Sequence, residues 1–188
     1  MIRENNLGHL MIDIETLGIN ISKNIVILSI AAVEFDLKTG ELGREFYERV
    51  DIQSCLDLGM KVDASTLFWW LKQNPISKNE LFNGDGDNIL NVLNKLTYFI
   101  KSLNYDVEVW GNGISFDLSI LTNAYVVCGF KEVPWNTKKE RDVRTLVSLL
   151  PEIKKNLSFN GIRHNPIDDC KHQIKYCHMI WKTIMNKS

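Results

Sequence analysis

Residues 25–35 read IVILSIAAVEF, nine apolar positions interrupted only by a serine and a glutamate. An apolar, β-branched run of this length is expected of a central strand buried on both faces. Such a strand needs cover above and below, so it points to a sheet with helices packed on it. DLKTGELG (36–43) follows, with turn chemistry and glycines at 40 and 43. EFYERVDI (45–52) then alternates and reads as a third strand. With Leu10–Ile14 as the first strand, the N-terminal part of the chain is expected to form an antiparallel meander.

Helical spacing dominates the remainder. ASTLFWWLKQ (64–73) reads as a helix capped by Asp63 that stops before Pro75. Asn88–Leu103 places Ile89, Leu93, Leu96, Ile100 and Leu103 on one face. VEVWG (107–111) is a strand, SFDLSILTNAYVVCG (115–129) a helix stopped by Gly129, and RDVRTLVSLL (141–150) a helix ended by Pro151. In the last helix Asn165 is the candidate cap and Pro166 suits the first helical position. Ile167, Cys170, Ile174, Cys177, Trp181 and Ile184 form its apolar stripe. The expectation is an α/β fold, a mixed sheet of antiparallel meander plus parallel strands flanked by helices. With 188 residues, 45% of them hydrophobic, the whole chain (1–188) reads as one domain.

Charge and cysteines narrow the setting. The net charge of −1 divides into −7 over residues 1–130 and +6 over residues 131–188. A basic C-terminal third suits an anionic partner, while the overall balance is too acidic for gripping long duplexes by charge. Cys55, Cys128, Cys170 and Cys177 form no CxxC pair and read as reduced thiols. MIRENNLGHL lacks the apolar core of a secretory signal, and no stretch is long enough for a membrane span. A cytoplasmic location with no membrane partner is therefore expected.

Three acidic motifs carry the chemistry. MIDIETLG (11–18) sets Asp13 and Glu15 two positions apart in an apolar strand, so both project from one face. Burying two like charges together is costly unless something positive lies between them. Paired carboxylates of this kind suit a hard divalent cation. WGNGISFDLSIL (110–121) runs from a strand through a Gly-rich turn into a helix bearing Asp117 in its first turn. HNPIDDC (164–170) puts His164 before the last helix and Asp168 and Asp169 at its start. Each motif alone also has a plain reading: D-x-E is common by chance and usually a surface pair, and acids are favoured at helix N-termini by the helix dipole.

In this order, D-x-E, N-x-x-x-F-D and H-x-x-x-x-D resemble the DEDD superfamily of 3′→5′ exonucleases in its histidine-containing, DnaQ-like branch (DEDDh). The resemblance runs from about Leu10 to the C-terminus. ASTLFWWLKQ and RDVRTL are similar to segments of a small exoribonuclease group that includes the mycobacterial adenylate-specific RNase. Phage exonuclease A and prophage exonucleases are similar as well, which implies a phage or prophage origin. One departure is Pro166, where the branch more often has alanine.

The resemblance implies an RNase H-like fold. It also implies a 3′→5′ exonuclease acting on single-stranded RNA or DNA 3′ ends, or 3′ overhangs, and releasing 5′-mononucleotides. Two Mg²⁺ or Mn²⁺ ions would be held by Asp13, Glu15, Asp117 and Asp169, with His164 as general base. Spacing in the branch selects Asp169 over Asp168 as the ligand. Thr16, Leu17, Asn112 and Phe116 would contact the 3′ nucleotide. Trp69 and Trp70 are candidates for base stacking, although neighbours on a helix point about 100° apart, so at most one stacks, and both in the core is an equal reading. Arg141, Arg144 and Arg163 would meet phosphate or pair with acids, and Asp142 is a candidate for orienting the site. His9, His172 and His178 read as ordinary. Similar groups are often homodimers, which makes a homodimer the expectation. The alternative reading is a catalytically inactive RNase H-like nucleic-acid-binding domain.

Overall fold

The computed structural model describes residues 7–20, 24–82, 85–103 and 105–186; residues 1–6 of the N-terminal stretch lie outside them. Three strands come first: β1 (His9–Thr16), β2 (Ile27–Phe35) and β3 (Leu42–Arg49). Four helices follow, α1 (Ile52–Asp57), α2 (Ala64–Leu71), α3 (Pro75–Phe82) and α4 (Ile89–Lys101). Then come β4 (Glu108–Gly111), α5 (Asp117–Val127), β5 (Glu140–Asp142), α6 (Val143–Leu149), α7 (Pro151–Asn156) and α8 (Pro166–Met185). The sheet order is β3-β2-β1-β4-β5. β1, β2 and β3 pair antiparallel, whereas β1–β4 and β4–β5 are parallel.

The apolar run does what its composition demands. All nine residues of β2 are buried. Leu28, Ile30 and Ala32 enter a core shared with Leu93 and Leu96 of α4 and Leu118 and Leu121 of α5. Ala31, Val33 and Phe35 enter a second core shared with Val143 of α6 and Cys170, Ile174, Cys177 and Ile180 of α8. β1 is divided the same way, with Leu10, Ile12 and Ile14 in the first core and Met11 in the second. Strand alternation therefore turns Asp13 and Glu15 toward the α8 side of the sheet.

Several boundaries differ from the sequence expectation. EFYERVDI is not strand to its end. The Asp51 carboxylate accepts hydrogen bonds from the Gln53 and Ser54 amides and starts α1, so the chain leaves the sheet at Arg49. RDVRTLVSLL is not one helix. Glu140–Asp142 forms β5 beside Val109–Gly111, and the Asp142 carboxylate then caps α6 by accepting the Thr145 amide. Pro75 opens α3 and Pro151 opens α7; their fixed φ suits a first helical turn. Asp63 precedes α2 without a side-chain capping bond. α1, α3 and α7 have only six to eight residues, too few for a periodic signal.

The last helix begins as its sequence requires. The Asn165 side chain accepts from the Ile167 and Asp168 amides, and Pro166 fills the first position. All four cysteines are free, and no described helix is long and apolar enough to cross a membrane. Because α8 packs against both β1 and β2, its cap fixes the end of the helix that approaches β1. Asn165→Ala should lower stability by about 1 kcal/mol in urea unfolding, with an unchanged slope.

Candidate active site

Four acids from three elements share one buried region at the end of β1. Asp13 is buried, and its Oδ1 accepts a 2.7 Å hydrogen bond from Gln173 Nε2 of α8. Glu15 is mostly buried two residues on. Asp117 stands at the start of α5, 3% exposed. Asp169 lies in the first turn of α8, one turn before Gln173.

The turn that delivers Asp117 is tightly built. A Cβ on Gly111 would lie 3.3 Å from Asp117 Cβ and Oδ2, so β4 meets α5 at glycine spacing. Gly113 takes φ +111, a conformation that L side chains rarely adopt. The Ile114 amide donates to Asp142 Oδ2 at 3.0 Å, tying this turn to the end of β5. Asp142 thus holds this turn while also capping α6. Asp117 Oδ2 and Asn112 Oδ1 are buried without a hydrogen-bond partner among the described residues.

His164 enters from the loop before α8. It is the non-glycine residue with positive φ (66°) among those described, a conformation that costs roughly 1 kcal/mol. Its amide donates to Asp169 Oδ2 at 2.9 Å, and its Nδ1 lies 3.6 Å from Glu15 Oε1. One ligand atom from each of Glu15, His164 and Asp169 falls within 4.8 Å of the others. Asp168 points elsewhere. Its Oδ2 accepts the Ile162 amide at 2.8 Å, and its side chain fills the space that a Cβ on Gly161 would need.

The acids hold their protons more tightly than isolated carboxyls. Burial, then the charges of Asp117, Glu15 and Asp169, push Asp13 well above the usual range. Burial, then Asp169 and Asp117, does the same to Glu15. Burial lifts Asp117 to about 7 against backbone hydrogen bonds and the Arg144 guanidinium. Burial raises Asp169 despite the hydrogen bond from His164. A divalent cation would reverse this penalty and would satisfy the orphaned Asp117 oxygen, so the residues present fit such an ion.

Beside the acids lies a cavity of about 490 Å³, lined by Thr16, Trp69, Trp70, Phe116 and His164 among others. The two tryptophans divide their work. Trp70 is 1% exposed, and its Nε1 donates to the Thr16 carbonyl at 2.9 Å, while Trp69 is 42% exposed. Both rings meet the His164 ring edge-on, with centroids 5.0 and 5.8 Å away. Leu17 lies behind this wall: its side chain joins the first core, its amide donates to the Val26 carbonyl and its carbonyl accepts from the Asp63 amide. Asn112 sits in the turn that carries Asp117.

The remaining candidates separate as well. Arg141 makes a two-pronged pair with Glu108, and Arg163 lies over the Phe159 ring at 5.0 Å. Arg144 packs against Gly113. His9 accepts from Trp110 Nε1, His172 packs on Phe159 and Tyr176, and His178 meets the Leu37 carbonyl. Gln173 was not anticipated. Its one signal in the sequence is a position four residues after Asp169, which puts it on the same helix face.

Residues 8–181 match the family model of the Rv2179c-like 3′–5′ exoribonuclease domain. No curated protein sequence matches this one. Among solved structures, the nuclease domain of 3′hExo, a DEDDh family member bound to rAMP, is similar with a TM-score of 0.67. Identity is 15%, over 93% of this chain and 91% of that chain. A 3′-exonuclease solved for 3′-end-specific recognition of a histone mRNA stem-loop gives 0.65 at 13% identity, over 93% and 81%. The zinc-bound complex of E. coli exonuclease I with single-stranded DNA gives 0.60 at 15% identity, over 96% of this chain and 40% of that longer one. These likenesses carry the fold, an RNase H-like mixed sheet of the DEDDh type. The match along nearly the whole sequence carries the family: this chain belongs to the Rv2179c-like 3′–5′ exoribonuclease domain family and is a 3′–5′ exonuclease.

Proposed function

We propose that this chain removes nucleotides from the 3′ ends of single-stranded nucleic acid, or of 3′ overhangs, and releases 5′-mononucleotides. The observation that supports this best is the cluster of Asp13, Glu15, Asp117 and Asp169, joined by His164, with Glu15 and His164 also lining the adjoining cavity. Asp13, Glu15 and Asp169 would hold one of two Mg²⁺ or Mn²⁺ ions, and Asp117, with Asp13 shared, the other. Bound there, the ions would supply the positive charge that stabilises the attacking and leaving oxygens of an in-line displacement.

The rest falls to the protein's own groups. His164 lies beside Glu15, with Nδ1 3.6 Å from Oε1, and its imidazole takes the proton from the attacking water. Thr16 and Phe116 border the terminal nucleotide, and the exposed Trp69 offers a face for its base, worth about 1–3 kcal/mol. Trp70 supports that wall from the core. A pocket open to solvent beside the acids accommodates an unpaired end, which favours single strands over a closed duplex.

Labelled oligonucleotides of RNA and DNA test the reading. In Mg²⁺ or Mn²⁺, 5′-labelled strands should shorten stepwise from the 3′ end, and circular strands should stay intact. Asp169→Asn and His164→Ala should each lower kcat by about 10²- to 10⁴-fold. Asp168→Asn should keep most of the activity, because the amide oxygen can still accept from Ile162. The opposite ranking of the two aspartates would remove Asp169 from the ligand set.

The raised carboxyls make a second test with a definite sign. A carboxyl whose pKa rises on folding binds more protons in the native state across the interval between its two values. Stability therefore falls as pH rises through that interval, from about 4 to about 7 for Asp117. Without metal, the melting temperature should drop between pH 5 and pH 8. Adding Mg²⁺ or Mn²⁺ should raise it more at pH 8 than at pH 5. A metal-free protein that gains stability across that span would contradict the buried acidic cluster.

A further inference from the structure

The peptide group joining Arg163 to His164 is gripped on both sides. Its N–H donates to Asp169 Oδ2 at 2.9 Å. Its carbonyl accepts a 2.7 Å hydrogen bond from Ser77 Oγ. The two partners come from α8 and α3, far apart in sequence, and Ser77 is itself 3% exposed. This peptide is the plane from which the left-handed φ of His164 is set. Fixing both its hydrogen-bonding groups leaves the residue little freedom to relax toward the favoured region.

α3 is anchored so that it can act as a fixed support. The Asn74 side chain accepts the Ile76 amide at its start. At its end Phe82 meets Trp70 edge-on, with centroids 5.8 Å apart. Trp70 is in turn bonded to the Thr16 carbonyl at the end of β1. A chain of contacts thus runs from β1 through α2 and α3 to the backbone of His164.

We propose that Ser77 is a positioning residue that holds His164 in its proton-accepting orientation. The inference rests on His164 being the general base. Loss of the Ser77 hydroxyl leaves Asp169 holding one side of the peptide, and the imidazole drifts from the attacking water. Displacement of a reacting group by about an ångström can cost up to about 100-fold in rate. Nucleotide binding should be spared, because Ser77 does not line the cavity.

The experiment compares steady-state hydrolysis of a short 5′-labelled oligonucleotide by Ser77→Ala, His164→Ala and the double variant. Ser77→Ala should lower kcat about 10- to 100-fold with KM changed less than about twofold. The double variant should be no slower than His164→Ala alone, since the serine acts only through the imidazole. Ser77→Thr keeps the hydroxyl donor with one added methyl and Ser77→Cys keeps the shape with a weak donor, so kcat should follow Ser, Thr, Cys in descending order. This order tests the inference even if the alanine variant fails to fold. Wild-type kcat in folded Ser77→Ala, equal kcat in the threonine and cysteine variants, or a double variant slower by the full Ser77→Ala factor would each overturn it. Wild-type kcat in His164→Ala would instead overturn the base assignment.

Discussion

Asp13, Glu15, Asp117 and Asp169 occupy one region where burial makes all four harder to ionise, and Asp117 and Asp169 add their charge against Asp13 and Glu15. Everything near them can be understood as a response to that repulsion. Gln173 donates to Asp13, the His164 amide donates to Asp169, and backbone amides donate to Asp117, so three of the four carboxylates have neutral donors. Asp117 Oδ2 has none among the described residues. A native fold tolerates such an oxygen when something outside the chain completes it. The two cores on either face of the sheet keep the region folded in the meantime. β2, buried along its whole length, supports the neighbouring strand that carries Asp13 and Glu15.

The parts legible in the sequence were those with long or repeated patterns. β2 shows through its unbroken apolar run, and α8 through its cap, its proline and its stripe of Cys170, Ile174 and Cys177. The elements that escaped notice are short and take their shape from neighbours. β5 has three residues and exists because β4 offers a free edge. α1 begins where Asp51 turns its carboxylate onto the backbone amides that follow, and Asp142 does the same for α6, which starts two residues inside the helix expected over 141–150. A carboxylate in such a place looks the same in sequence whether it caps a helix, holds a metal or faces solvent.

The site divides along the same line. Its acids stand out in the sequence through the resemblance of three ordered motifs; strand spacing by itself says only that Asp13 and Glu15 face the same side. The supporting donors do not stand out. Gln173 and Ser77 are single polar residues whose partners lie 160 and 86 positions away, and no local pattern announces such a pairing. Trp69 and Trp70 fall between these cases. Helical geometry required them to diverge, but only the fold decides that Trp70 turns inward to Thr16 and Trp69 faces the cavity.

The N-terminus of α8 shows how adjacent acids can serve unlike ends. Asp168 and Asp169 share the favourable field of the helix dipole, so neither is explained by that field alone. Their side chains leave the helix about 100° apart. One direction leads to the loop, where Asp168 accepts the Ile162 amide against Gly161 and closes the turn that precedes His164. The other leads to the acidic cluster, where Asp169 accepts the His164 amide. Both carboxylates therefore hold the same loop, Asp168 from outside and Asp169 from within. The strained backbone of His164 is the consequence: a loop gripped at Ile162, at the Arg163 carbonyl and at the His164 amide cannot relax one residue without breaking a neighbour's bond.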